Sequence, residues 1–96
     1  MKYNLPERVF YDISLFAKKH SIEKVILFGS RARGTHTERS DIDLAVSGGD
    51  FDGFYWDIQE KTHSLLLFDV IDLSQEISDE LKSVLEKEGI VIYEKA

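Results

Sequence analysis

Apolar positions recur along this chain with two different periods, and the switches between them mark its elements. From Pro6 to His20, Val9, Phe10, Ile13, Phe16 and Ala17 return at three- and four-residue steps, the spacing of one helix face. Pro6 suits the first turn of that helix, where a missing N–H costs nothing. Lys24–Phe28 is a short apolar run closed by Gly29 and predicts a buried strand. Residues 30–37 are small, basic and polar, which predicts a turn or short helix. Asp41–Val46 alternates, with Ile42, Leu44 and Val46 on one side and Asp41, Asp43 and Ala45 on the other, the pattern of a half-buried strand.

Gly48, Gly49 and Asp50 predict a turn, and Phe51–Ser64 a second helix carrying Phe54, Tyr55, Ile58 and Thr62. Leu65–Leu73 is apolar with Asp69 and Asp72 embedded and reads as another strand. Ser78–Glu88 predicts a third helix, with Ser78 as its N-cap and Gly89 stopping it, and Ile90–Tyr93 a last strand. The connection from Phe28 to Asp41 is short enough for antiparallel pairing. The order therefore predicts an α/β fold, a mixed sheet of about four strands with three main helices.

A length of 96 residues fits a single domain, 1–96, of a size that is only marginally stable alone. Cysteine is absent, which excludes a disulfide framework, a zinc ribbon and a thiol nucleophile. No apolar run approaches the roughly 20 residues of a membrane span. Pro6, Glu7 and Arg8 interrupt any signal pattern at the N-terminus, so the expected location is the cytoplasm. The formal charge of −6, with no basic face evident, argues against an extended nucleic acid as ligand. Arg31, Arg33 and Arg39 are the exception to a scattered positive charge, and their clustering points to a small anion.

Residues two apart on a strand face the same way, so Asp41 and Asp43 stand roughly 6.6 Å apart at Cα. Two such carboxylates repel unless a cation lies between them, and magnesium commonly takes one or two carboxylates plus phosphate oxygens. Gly29-Ser30-Arg31-Ala32-Arg33-Gly34 supplies the complement: a glycine that permits close backbone approach, helix-opening N–H groups, a hydroxyl and fixed positive charge. Taken singly, the first pattern also fits a solvated edge strand and the second an ordinary turn with surface arginines. Two other phosphate loops fail on spacing. Thr35-His36 stands where a Walker A loop needs Lys-Ser/Thr, and Arg31 stands where a dinucleotide fingerprint needs its second glycine.

Together, Gly29-Ser30, Ala32-Arg33-Gly34 and Ser40-Asp41-Ile42-Asp43-Leu44 resemble the signature of the polymerase-beta-type nucleotidyltransferases, most closely the minimal nucleotidyltransferases of prokaryotes. The resemblance covers the whole chain. It implies that Gly29 and Ser30 bind the phosphates of ATP, with Arg33 a candidate for phosphate contact or for pairing within the motif. It also implies that Asp41 and Asp43 ligate one or two magnesium ions. A third carboxylate on a later strand completes the family's metal site, and the subfamily pattern places it at Asp69. An aspartate buried and unpaired between Phe68 and Val70 would be costly, which a nearby metal answers. Asp72, three residues on, faces the other side of the strand and reads as structural. Arg31 and Arg39 read as surface residues, His36 as a bystander, and Trp56 as helix packing or a partner surface.

The resemblance further implies an antitoxin that transfers AMP to a tyrosine of a HEPN ribonuclease toxin. In that reaction Asp69 orients or deprotonates the attacking hydroxyl. Two other readings stand beside it: a binding-only antitoxin with an idle site, and a nucleotidyltransferase acting on a small molecule.

Overall fold

The apolar stripe of the first helix is buried where its spacing requires, in a computed structural model of the protein that describes residues 3–95. Helix α1 runs Glu7–Lys19 and buries Val9, Ile13, Phe16 and Ala17, with Pro6 one position earlier than expected, at the N-cap. Strand β1 is Lys24–Phe28, α2 is a single turn over Ser30–Arg33, and β2 is Ile42–Ser47. Then follow α3 (Phe51–Lys61), β3 (Phe68–Asp72), α4 (Asp79–Glu88) and β4 (Ile90–Glu94). Ser78 caps α4, its hydroxyl accepting from the Leu81 amide, and Gly89 ends it. Gly89 has ordinary extended backbone; what it provides is room, since a side chain there would meet the Leu85 carbonyl and Ile26.

The four strands form one mixed sheet in the order β3-β2-β1-β4, as the α/β reading expected. Strand β1 pairs antiparallel with β2 and β4, whereas β2 and β3 are parallel. Val25, Leu27, Ile42, Leu44 and Val46 join Val9, Ile13, Phe54 and Ile58 in the core, so α1 and α3 cover that face of the sheet. Ala45 points to the opposite face yet is fully buried, so β2 is covered on both sides at its centre and opens only toward Asp43. Strand β3 is shorter than the apolar run that signals it, because Leu65 and Leu67 stay outside in solvent. No helix among the described residues is long and apolar enough to cross a membrane.

Helices α1 and α3 are joined by two buried carboxylates that the apolar pattern does not reveal. Asp12 accepts from both the backbone and ring nitrogens of His63, at 2.8 and 2.9 Å. Asp57 accepts from His20 Nε2 at 2.7 Å and pairs with Lys19 and Lys61 at 3.0 and 3.1 Å. The His20 hydrogen bond, more than the lysines, holds the Asp57 carboxyl far below the usual carboxylate range, against the opposing effect of burial.

A carboxylate with a depressed folded pKa adds stability above its unfolded value and loses it as pH falls through the folded one. Asp57→Asn should therefore cost about 1–2 kcal/mol at pH 7, or roughly 5–15 °C in Tm. The gap to the parent should narrow progressively below about pH 3.9, as Asp57 of the parent protonates. Melting curves across that range check this; a gap independent of pH would show that shape, not charge, is what Asp57 contributes.

Candidate active site

The parallel register sets Asp43 directly beside Asp69 on one face of the sheet, with Asp41 just ahead of β2 and two residues from Asp43. Phe28 lies opposite Asp43 on the other side, so one row crosses the sheet from Phe28 through Asp43 to Asp69. Asp41 and Asp69 are exposed and Asp43 is half-buried. Burial pushes the Asp43 carboxyl above its usual range, and the negative charges of Asp69 and Asp41 push it further, with Arg33 opposing. Asp69 is not buried after all: it sits on the edge strand, so solvent rather than a metal answers the cost of its charge. Asp72 lies beside Val46 on the other face and accepts from the Ser74 amide and hydroxyl at 2.9 and 2.7 Å, closing a turn.

Gly29 ends β1 with φ 76°, a conformation that favours glycine. A Cβ on it would run into the Asp43 carboxylate. The backbone conformation thus favours glycine here, and any side chain would also displace the Asp43 carboxylate, quite apart from any ligand. Gly34 closes the α2 turn in the left-handed region with φ 81° and open space around it. Between them, the amides of Ala32 and Arg33 return to the Gly29 carbonyl.

Arg31 corrects the expectation of a surface residue. It is 2% exposed and among the largest fully buried side chains. Its guanidinium donates to the carbonyls of Ser40 (3.1 Å), Asn4 (2.8 Å), Thr37 and Glu38 (both 3.3 Å). Desolvation lowers its pKa, and the carbonyl oxygens compensate the buried charge. The side chain therefore straps the α2 turn to the loop that delivers Asp41. Ser40 stiffens that loop, its hydroxyl accepting from the Thr37 amide at 2.8 Å. In the same loop, His36 Nδ1 is buried without a hydrogen-bond partner among the described residues, beside a cavity of about 510 Å³ that Arg31 and Pro6 also line.

Glu88, the last residue of α4, carried no signal in the sequence. Its Oε1 accepts from Arg33 Nη1 at 2.9 Å and from the Gly29 amide at 3.3 Å. A carboxylate oxygen thus occupies donors that suit a phosphate oxygen, and the sequence's alternative for Arg33, pairing, is the state seen. No three acidic or imidazole side chains among the described residues converge into a ready-made metal cage. Trp56 is 58% exposed and stands edge-on to Tyr55, outside the core.

A glycine turn whose donors hold a carboxylate, beside a row of further carboxylates, has known counterparts. The family pattern described as polymerase beta, nucleotidyltransferase matches residues 12–96. The chain belongs to that family. It is a nucleotidyltransferase. A protein of Methanocaldococcus jannaschii, described provisionally as a protein adenylyltransferase, is 42% identical over 83 residues, covering 75% of this chain and 79% of that one. Among solved structures, a toxin-antitoxin complex with AMP-PNP contains a chain that matches with a TM-score of 0.69 and 25% identity, over 90% of this chain and 73% of that one. A variant of the MntA-HpeT toxin-antitoxin complex matches with a TM-score of 0.67 and 27% identity, over 95% and 74% of the two chains.

The like charges of this nucleotidyltransferase's carboxylate face carry a sign that melting can read. A carboxyl with a raised folded pKa favours its protonated form, so ionising Asp43 costs stability as pH rises past its unfolded value. In metal-free protein, Asp43→Asn should raise Tm by a few degrees at pH 7, the advantage shrinking toward zero below about pH 3.9. An unchanged or lower Tm at pH 7 would remove the like-charge argument.

Glu88→Gln removes the internal anion while keeping the side chain's shape. ATP should then bind severalfold more tightly by calorimetry, because the Gly29 amide and Arg33 no longer give up a carboxylate partner. Weaker binding would mean that Glu88 serves to hold Arg33 over the turn.

Proposed function

We propose that this chain transfers AMP from ATP to a hydroxyl of a partner protein, acting as an antitoxin that modifies a tyrosine of a HEPN ribonuclease toxin. The observation that carries the chemistry is the row from the Gly29 turn through Asp43 to Asp69, an anion cradle beside a like-charged face. The protein acceptor is supported by the relative described as a protein adenylyltransferase and by the toxin-antitoxin neighbours.

In this reading the Ser30 hydroxyl, the Gly29 backbone and Arg33 hold the β- and γ-phosphates, with Glu88 yielding its place to them. Asp41, Asp43 and Asp69 present the hard, negatively charged oxygens that magnesium prefers, and the like charge of Asp69 and Asp41, which adds to burial in raising the Asp43 carboxyl and is offset only in part by Arg33, fits one or two such ions. Bound there, magnesium would neutralise the triphosphate and the charge that develops during transfer. Arg31 fixes the distance between the phosphate turn and Asp41. Asp69, exposed on the edge strand, orients the acceptor hydroxyl and takes its proton.

Incubation with magnesium, ATP labelled in its α-phosphate and a HEPN toxin should label the toxin. Asp69→Asn should cut labelling about 100-fold or more and reduce the gain in Tm from magnesium with ATP, whereas Asp72→Asn should stay close to the parent. A reversed pair would move the third carboxylate to Asp72. Label on a small molecule instead, or on nothing, would replace the protein acceptor with a small-molecule one or an idle site.

A further inference from the structure

Transfer of a nucleotidyl group is directional: the entering and leaving oxygens lie roughly in line on opposite sides of the α-phosphorus. The leaving pyrophosphate belongs at the Gly29 turn, at the end of β1. The sheet runs from there to β2 with Asp43, then to β3 with Asp69, and then ends. An in-line nucleophile therefore enters from the β3 side, where Asp69 stands at the free edge.

That edge is dressed for a partner. Leu65 and Leu67, which lead the chain into β3, are 103% and 70% exposed, the two most exposed of the large hydrophobic side chains among the described residues. With Leu66, Arg39 and the site residue Asp41 they line a groove of about 500 Å³. Two leucines held in water, one residue apart and beside the Asp41 carboxylate, form a patch of the kind that binds a partner. Arg39 is exposed and makes no ion pair among the described residues, in a chain with 18 acidic residues. The other arginines are engaged: Arg8 with Asp12, Arg33 with Glu88, and Arg31 with carbonyls. The outer edge of β3 has no strand beside it among the described residues, although Gln59 occupies the Phe68 carbonyl. A segment laid along this edge would place alternate side chains on the face of Asp43 and Asp69.

We propose that the acceptor hydroxyl is delivered by an extended polypeptide segment lying on Leu65 and Leu67, with an acidic residue of that segment paired to Arg39. This rests on the protein-acceptor reading above and adds the surface and the flanking chemistry. In the step it serves, the acceptor oxygen forms a new bond to the α-phosphorus. The bond from that phosphorus to the bridging oxygen of the β-phosphate breaks, and its electron pair leaves with pyrophosphate. The hydroxyl proton passes to the Asp69 carboxylate.

Two blocked synthetic peptides test this, each with a central tyrosine between leucines, one flanked by glutamates and the other by lysines. The full-length chain, with magnesium and labelled ATP, should label the glutamate-flanked peptide with the lower KM. Replacing both leucines (Leu65→Gln with Leu67→Gln) should raise that KM about tenfold or more, while ATP affinity measured without peptide stays unchanged. Arg39→Glu should reverse the preference in favour of the lysine-flanked peptide. Peptides labelled equally well by parent and variants would overturn the docking surface and leave the protein-acceptor reading intact. A parent that labels neither peptide also overturns it, since a surface that reads flanking residues must capture one; an intact protein labelled in the same assay would still support a protein acceptor.

Discussion

A buried guanidinium with no carboxylate partner among the described residues holds the two halves of this site at a fixed separation. Arg31 spends its donors on the backbone carbonyls of Asn4, Thr37, Glu38 and Ser40. Its own carbonyl accepts from the Asn4 side chain at 2.7 Å, so the segment before α1, the α2 turn and the loop before β2 converge on one residue. Carbonyl oxygens satisfy the fork without a negative side chain, so the strap adds no further negative charge beside the carboxylate face. Lysine could not replace it, because a point charge on a flexible stem lacks the rigid, divergent donors that reach separate carbonyls.

Around that strap the sheet concentrates charge of one sign. Pairing β2 with β3 brings Asp43 and Asp69 side by side, and the structure tolerates it because Asp69 lies on an edge strand in water while Arg33 offsets part of the field at Asp43. The anion turn shows the opposite imbalance, and Glu88 answers it from within the chain. Helix α4, which carries Glu88, buries no residue completely, so few packing contacts oppose a small shift of its C-terminal end. The carboxylate face and the turn held by Glu88 are thus groups of opposite charge that the chain balances only in part from within.

Much of this was legible in the residues. The periodic elements fell in the order and type the pattern gave them, with α3 ending at Lys61 and β3 beginning at Phe68, inside the expected bounds, because one buried face per element is enough to specify helix or strand. The pair Asp41 and Asp43 and the Gly29-Ser30 turn stood out because their chemistry is local: spacing along one strand or one turn sets which groups share a face. Ala45 and the exposed Leu65 and Leu67 did not follow the pattern, since burial of a strand's second face depends on what else packs there. Asp12 and Asp57 were invisible for a related reason: a helix position occupied by aspartate looks solvated until histidine and lysine partners from another element close over it.

The sequence by itself determined the element order, the α/β class, the turn and carboxylates of the nucleotidyltransferase signature, and the family. The elements and the local chemistry follow from side-chain period and short-range spacing, which a linear string records, and the family from the resemblance of its motifs to a known signature. Only the tertiary structure decided that Asp69 stands beside Asp43, that Arg31 is buried and Glu88 faces Gly29, and that the edge of β3 lies open beyond the carboxylates. Strand order and contacts across 26 to 59 residues of chain arise from how the elements pack, and no local pattern encodes which distant side chain will fill a given donor or leave an edge free.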